Sequence, residues 1–186
     1  MSSLGNLTVL TGPSGVGKGT IVRKILESHK DVWLSVSATT RQPRSGEIEG
    51  EHYFFLEKKK FKEIIDKEGF LEWASFSNNF YGTPKQVIKE KIEKGTNVLL
   101  EIELEGARQI RKSFPNALQI FLAPPNLSEL EKRIRGRGTE TEESIRDRLA
   151  IANKELIAKK EFDAVVINVE IEKAFIEIEG LMGLKK

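Results

Sequence analysis

The feature that most constrains this chain is the run Leu7-Thr8-Val9-Leu10-Thr11-Gly12-Pro13-Ser14-Gly15-Val16-Gly17-Lys18-Gly19-Thr20. It opens on an apolar, β-prone stretch and passes through a glycine-rich middle. Ile21, Val22, Ile25 and Leu26 then follow at the spacing of one helix face. A strand, a phosphate-binding turn and a helix are expected, because Gly12, Gly17 and Lys18 meet the pattern G-x-x-x-x-G-K-[ST]. Each residue type has a physical reason. Glycines let backbone N–H groups converge on phosphate oxygens where a Cβ would block them. The helix adds the positive end of its dipole, and Lys18 adds a mobile point charge. The pattern breaks once: Gly19 stands where Ser or Thr is usual, and the hydroxyl comes one residue later at Thr20. The expected cradle is thus Gly12, Pro13, Ser14, Gly15, Val16, Gly17, Lys18, Gly19 and Thr20, with the metal-holding hydroxyl displaced by one residue or acting through water.

The rest of the composition fits one globular domain. The chain has 186 residues, 39% hydrophobic and 31% charged, enough for a substantial core. A net charge of +2 gives no reason to expect a nucleic-acid partner. The absence of cysteine excludes disulfides and Cys-based metal sites. No apolar run approaches the ~18 residues of a membrane helix, and no charged-then-apolar leader precedes the first strand. No membrane association and a cytoplasmic location are expected.

Read in order, the chain alternates strand and helix. Strands are expected near residues 7, 33, 98, 119 and 165, and the nearly continuous apolar run Thr96 to Ile102 suits a parallel sheet covered on both faces. The expected class is α/β, a doubly wound five-stranded parallel sheet. Two excursions interrupt it. One, residues 37–82, is a small β-rich insertion: Ser37 to Glu47 reads as a loop, Tyr53-Phe54-Phe55 and Phe70 to Phe76 as strands, Phe61 to Lys67 as a helix, and Tyr81 to Pro84 as a turn. Pro84 suits the first position of a helix ended by Gly95. The other, residues 126–156, is helical: Leu127 to Ile134, a break at Arg135 to Thr139, then a helix to about Lys160 started by a Thr139–Glu142 capping box. Core segments are 1–36, 83–125 and 157–186. In such sheets ligands bind beyond the C-terminal strand ends, where both excursions start.

Several segments together resemble guanylate kinase, a nucleoside-monophosphate kinase of the P-loop superfamily. They are Gly12 to Lys18, Ser37 to Glu47 (S-A-T-T-R-Q-P-R-S-G-E), Tyr81-Gly82-Thr83, Leu100-Glu101-Ile102-Glu103-x-x-Gly106, and Gly136-Arg137-Gly138-Thr139-Glu140-Thr141-Glu142-Glu143. The resemblance runs over roughly residues 5–184 and keeps the family's order. It implies transfer of the γ-phosphoryl group of ATP to GMP with Mg²⁺ as cofactor, residues 37–82 as the GMP-binding insertion and residues 126–156 as the lid. The implied partners are ATP and GMP, with dGMP left open as a further acceptor, in a monomer or weak homo-oligomer.

The resemblance implies a role for each matching residue. Arg41 and Arg44, three apart in a Pro-interrupted loop, would grip the GMP phosphate as two forks; on sequence alone they read equally as solvated loop arginines. Tyr53 and Tyr81, the only tyrosines, would donate to the same phosphate, and Glu47 would orient the arginines. Glu72 would take the guanine N1–H and N2–H donors, with Ser37, Gly82 and Thr83 beside the base. Glu103 stands where the family often has Asp, and Glu101 would hold Mg²⁺ through water. ATP would lie on the phosphate loop with Arg133 and Asn168, while Lys18, Arg41, Arg137 and Arg148 would stabilise the transferring group.

Other features carry less. His29 and His52 have no second ligand or paired carboxylate near in sequence and are expected at the surface. Lys58-Lys59-Lys60 reads as a solvated helix start, Trp33 and Trp73 as packing, and Ser14 as loop rather than nucleophile. Two rivals remain. Gly17-Lys18-Gly19-Thr20 alone also suits adenylate kinase, and a catalytically silent guanylate-kinase-like binding module would keep the monophosphate site without needing the phosphate loop.

Overall fold

In the computed structural model, which describes residues 4–76, 78–136 and 141–184, the apolar stretch of the opening run is the middle strand of a sheet. The elements in order are β1 (Leu7–Thr11), α1 (Lys18–Ser28), β2 (Val32–Leu34), β3 (Ala38–Thr39), β4 (Phe54–Phe55), α2 (Lys58–Asp66), β5 (Phe70–Phe76) and β6 (Asn79–Pro84). There follow α3 (Lys85–Glu93), β7 (Asn97–Glu101), α4 (Leu104–Ser113), β8 (Leu118–Ala123), α5 (Leu127–Arg135), α6 (Glu142–Ile157), β9 (Ala164–Ile167) and α7 (Ile171–Leu181).

The main sheet has the order β2-β7-β1-β8-β9, with every pairing parallel. These five strands are the five expected from apolar runs. Alternation along each strand supplies both covers. Leu10, Leu99, Ile120, Leu122 and Val166 pack with Ile21, Val22 and Ile25 of α1, Leu130 and Ile134 of α5, and Ile178 of α7. On the other face Leu7, Val9, Val98 and Leu100 pack with Ile88 of α3 and Ala107 and Ile110 of α4. A second, four-stranded sheet of order β4-β3-β6-β5 stands on its own small core of Ala38, Phe61 and Phe70.

Four local expectations are corrected. Tyr81 to Pro84 is not a turn but the end of β6, held antiparallel to β5 with Thr83 opposite Glu72 and Tyr81 opposite Ala74. Gly82 and Pro84 read as breakers, yet cross-strand pairing overrides local propensity. Pro84 is the residue before α3 rather than its first residue. The Ser37–Glu47 loop contributes a two-residue strand, β3, because Ala38 and Thr39 pair with both β4 and β6. The long helix of the second excursion starts later than expected, with Thr141 as its cap: the Thr141 hydroxyl accepts from Ser144 N–H at 3.2 Å. Thr139 lies outside the described residues. The same helix ends at Ile157, and a 3₁₀ turn, Ala158–Glu161, continues to β9.

His29 is also not a surface residue. It is 6% exposed, and its Nε2 lies 2.6 Å from Oε1 of Glu179, itself 6% exposed. The pair fastens the end of α1 to α7, beside Lys24, which reaches Glu172 at 2.7 Å and lies 5.7 Å from the Phe175 ring centre. A partner 150 residues away leaves no trace in local spacing. Removing one partner leaves the other buried and unsatisfied, so His29→Leu is expected to cost about 3 kcal/mol in urea unfolding. The double variant His29→Leu/Glu179→Leu is expected to recover most of that loss. Equal losses in the two variants would show that the orphaned Glu179 carboxyl is not the source of the cost.

Candidate active site

Two clefts open at the C-terminal ends of the neighbouring strands β1 and β7. The first, about 420 Å³, is walled by Ser14, Gly15, Gly17, Lys18, Thr20 and Arg23 of the turn and helix start. The second, about 470 Å³, is walled by Ser37, Tyr53, Glu72, Tyr81, Gly82 and Gly106. Glu101 and Glu103, which leave β7 together, line both.

The turn after β1 is shaped by β8. Gly12 has φ +154°, and a Cβ there would sit 2.2 Å from the carbonyl oxygen of Leu122. Only glycine lets the two strands stay this close. Lys18 is almost wholly buried and turns back over the loop, donating to the Gly12 carbonyl at 2.5 Å and to that of Pro13 at 3.4 Å. Glu101 is open to water at the foot of a cleft surrounded by protein. Burial pushes its carboxyl up, Lys18 opposes that, and Glu103 adds to it. Sequence reading missed Glu155 of α6. It is buried, and its carboxyl is pushed up by burial first and by Glu103 second, against Lys18. Nothing in the local sequence of α6 signals that Glu155 is buried within electrostatic reach of Glu103 and Lys18.

The second cleft is built on the β5–β6 ladder. Glu72 is 8% exposed, and Thr83 directly opposite donates its hydroxyl to Oε1 at 2.6 Å. Burial raises the Glu72 carboxyl above the ordinary range, and the side-chain and backbone hydrogen bonds of Thr83 oppose this. Two residues of α4 fix the strand around it. Ser113 donates to the Leu71 carbonyl at 2.7 Å, while Gln109 accepts from Trp73 N–H and donates to Trp73 C=O, both at 3.0 Å. Gly106 brings the first turn of α4 against the same carboxylate. Of these three, Gly106 had a signal in the motif at the end of β7; Gln109 and Ser113 had none, because surface-type residues on a helix show no preference for one strand.

At the rim, Thr39 and Thr40 tie β3 to β6: Thr39 Oγ1 donates to Phe80 C=O at 3.0 Å and accepts from Arg41 N–H at 3.2 Å. Arg41 then forks onto Glu47, NH1 to Oε2 at 2.9 Å and NH2 to Oε1 at 2.8 Å. Its guanidinium lies 5.4 Å from the Tyr53 ring centre, and the Tyr53 and Tyr81 rings meet edge-on. Glu47 chiefly, and the Tyr81 hydroxyl after it, hold Arg41 above its usual range. The Glu47 carboxyl is in turn lowered to about 2 by Arg41 first and by the backbone N–H of Arg44 second. Arg44 itself is exposed and meets this group through its backbone.

Two of the cations expected from the second excursion have described positions. Arg148 of α6 donates to the Ser14 hydroxyl at 2.5 Å. Arg133 of α5 and Asn168, just after β9, lie behind the loop rather than on the cleft wall, both bonded to the Val16 carbonyl. Arg137 lies outside the described residues. Among the described residues no three acidic or histidine side chains gather into a metal cage, and no helix is long and apolar enough to cross a membrane.

Comparison with known proteins points one way. The family model described as Guanylate kinase matches residues 5–184. A guanylate kinase of Prochlorococcus marinus strain NATL2A is 90% identical over 185 residues, covering 100% of both chains. Another, from strain MIT 9313, is 61% identical over 180 residues, covering 97% of this chain and 95% of its own. A crystal structure of guanylate kinase from Anaplasma phagocytophilum superposes with a TM-score of 0.74 at 29% identity, covering 100% of this chain and 89% of that one.

Three outcomes are expected from the site's construction. Gly12→Ala drives a Cβ into a strand carbonyl and is expected to cost at least about 2 kcal/mol in thermal unfolding. Gly19→Ala, with nothing within 4 Å of the added Cβ, is expected to leave stability unchanged or raise it by up to about 1 kcal/mol. For Glu47 the folded pKa is depressed, so its stabilisation is present above the unfolded value of 4.5 and is lost as pH falls toward about 2. Urea midpoints of wild type and Glu47→Gln should therefore differ at neutral pH and converge as pH falls below 4.5; a gap that persists there would remove the ion pair as its cause.

Proposed function

The chain belongs to the guanylate kinase family, and from that premise we propose that it transfers the γ-phosphoryl group of ATP to GMP, giving ADP and GDP. The observation that carries this reading is the shared wall: Glu101 and Glu103 line both clefts. A donor on the phosphate loop and an acceptor beside Glu72 then face each other across one strand end. Core (1–36, 83–125, 157–186), GMP-binding insertion (37–82) and lid (126–156) are the working parts on this reading.

The acceptor cleft suits GMP on chemical grounds. A buried carboxylate at Glu72 accepts from two adjacent base donors, which guanine offers and adenine does not. Thr83 and Ser37 complete the base side, and Glu103 lies across the cleft. Arg41, held by Glu47, and the Tyr53 and Tyr81 hydroxyls receive the phosphate, with Arg44 approaching from the loop. The dGMP base and phosphate would be held alike. At the donor side the amides of residues 12–20 and Lys18 hold the triphosphate, with Arg133 and Asn168 behind.

Transfer needs positioning and charge stabilisation rather than a covalent intermediate. Lys18, Arg41, Arg137 and Arg148 supply the positive charge, and lid closure excludes water. Mg²⁺, when bound, would neutralise charge on the phosphates. Its usual mode, most ligands being phosphate and water, fits a site offering Glu101 through water with Thr20 nearby. The setting we infer is purine nucleotide metabolism in the cytoplasm, by a monomer or weak homo-oligomer.

The test is Mg²⁺-dependent ADP production from ATP with GMP, AMP, CMP and UMP offered separately. Turnover with GMP alone is expected; turnover with AMP would overturn the base assignment. Glu72→Gln, which swaps one acceptor for a donor, should weaken GMP use by ~10²-fold or more while ATP binding stays within about twofold. Equal losses for both substrates would show that Glu72 does not read the base.

A further inference from the structure

Asn168 is 3% exposed and fixed on three sides. Its backbone N–H donates to Ala123 C=O of β8 at 2.8 Å. Its carbonyl accepts from NH2 of Arg133 at 2.9 Å. Its side-chain amide donates to the Val16 carbonyl at 2.7 Å, and NH1 of Arg133 reaches that same carbonyl at 3.4 Å. The Val16 carbonyl is thus gripped from the last strand of the sheet and from α5.

The consequence lies on the other side of the peptide. In a trans peptide, C=O and N–H point in opposite directions. Holding the Val16 oxygen away from the cleft aims the Gly17 N–H toward it, and Gly17 is one of the residues that wall the cleft. This peptide needs such a grip. Gly17 has φ +109°, so the torsion on the N–H side of this peptide carries no Cβ to fix it. The grip also uses the missing side chain: a Cβ at Gly17 would lie 2.7 Å from the Asn168 amide nitrogen.

We propose that Asn168 is a positioning residue of the phosphate loop, acting on the donor triphosphate through the Val16–Gly17 peptide, with Arg133 bracing the same carbonyl from α5. The proposal rests on reading the loop as the triphosphate site. It separates two ways in which Asn168 can serve ATP. A residue that reads the base matters only to ligands carrying adenine, whereas a residue that sets the loop matters to any chain of phosphates.

The experiment is calorimetric titration of ATP, inorganic tripolyphosphate and GMP into wild type and Asn168→Ala. ATP and tripolyphosphate are expected to weaken by the same factor, roughly 10-fold, the scale of one well-placed hydrogen bond, with GMP unchanged. Loss for ATP alone would assign Asn168 to the base and overturn the proposal. Loss for neither would overturn it too, and an equal loss for GMP would reduce Asn168 to a general structural residue. Should Asn168→Ala not fold, Asn168→Asp keeps the shape and removes the donor; tripolyphosphate affinity equal to wild type in that variant would overturn the proposal. Wild-type protein that bound neither triphosphate would remove the reading of the loop, and this proposal with it.

Discussion

The approach of β8 to the turn after β1 is the contact on which the rest depends. The Leu122 carbonyl sits where a Gly12 side chain would start, so the loop is pressed against the sheet before any polar group is placed. That pressure puts Val16 into the core with no exposure and makes α1 begin at Lys18. The Lys18 ammonium can then fold over the loop carbonyls. Parallel pairing of β1 with both β7 and β8 carries the same constraint sideways. Glu101 leaves β7 at the level where the loop leaves β1, and the wall between the clefts follows from sheet register rather than from any contact between the clefts.

The second cleft obeys a different rule. A four-stranded sheet with a three-residue buried core has little rigidity of its own, and Glu72 must be held still to be useful while buried. The support is external. Gln109 and Ser113 of α4 take the backbone groups of Trp73 and Leu71 on either side of Glu72, so the parallel core fastens the strand that carries this carboxylate. The rim is held locally instead, by Thr39, Thr40 and the Arg41–Glu47 fork.

This division explains what could be read from the chain. The five core strands were legible because each is an apolar run facing helices on both sides, and the phosphate loop because its glycines and lysine are adjacent. The motif residues of the insertion were legible through family resemblance, but their supports were not. Tyr81 to Pro84 looked like a turn because Gly and Pro signal breaks locally, whereas the pairing with β5 that makes it a strand is a property of the fold. His29 looked like a surface residue because Glu179 is far away in the chain. Gln109, Ser113 and Glu155 belong to the same class: ordinary helix residues given a task by what packs beside them.

Charge supplies the last constraint. Glu101 and Glu103 line the loop cleft together with Lys18 and Arg23, and the shifts of Glu101 and Glu155 carry opposing signs from Glu103 and Lys18. A triphosphate and a monophosphate brought together would add negative charge beside these carboxyls. On the proposed reading the balance has to come from cations that arrive with the ligands or with the helices of residues 126–156. Arg148 on α6, already against Ser14 at the loop's tip, is well placed for that.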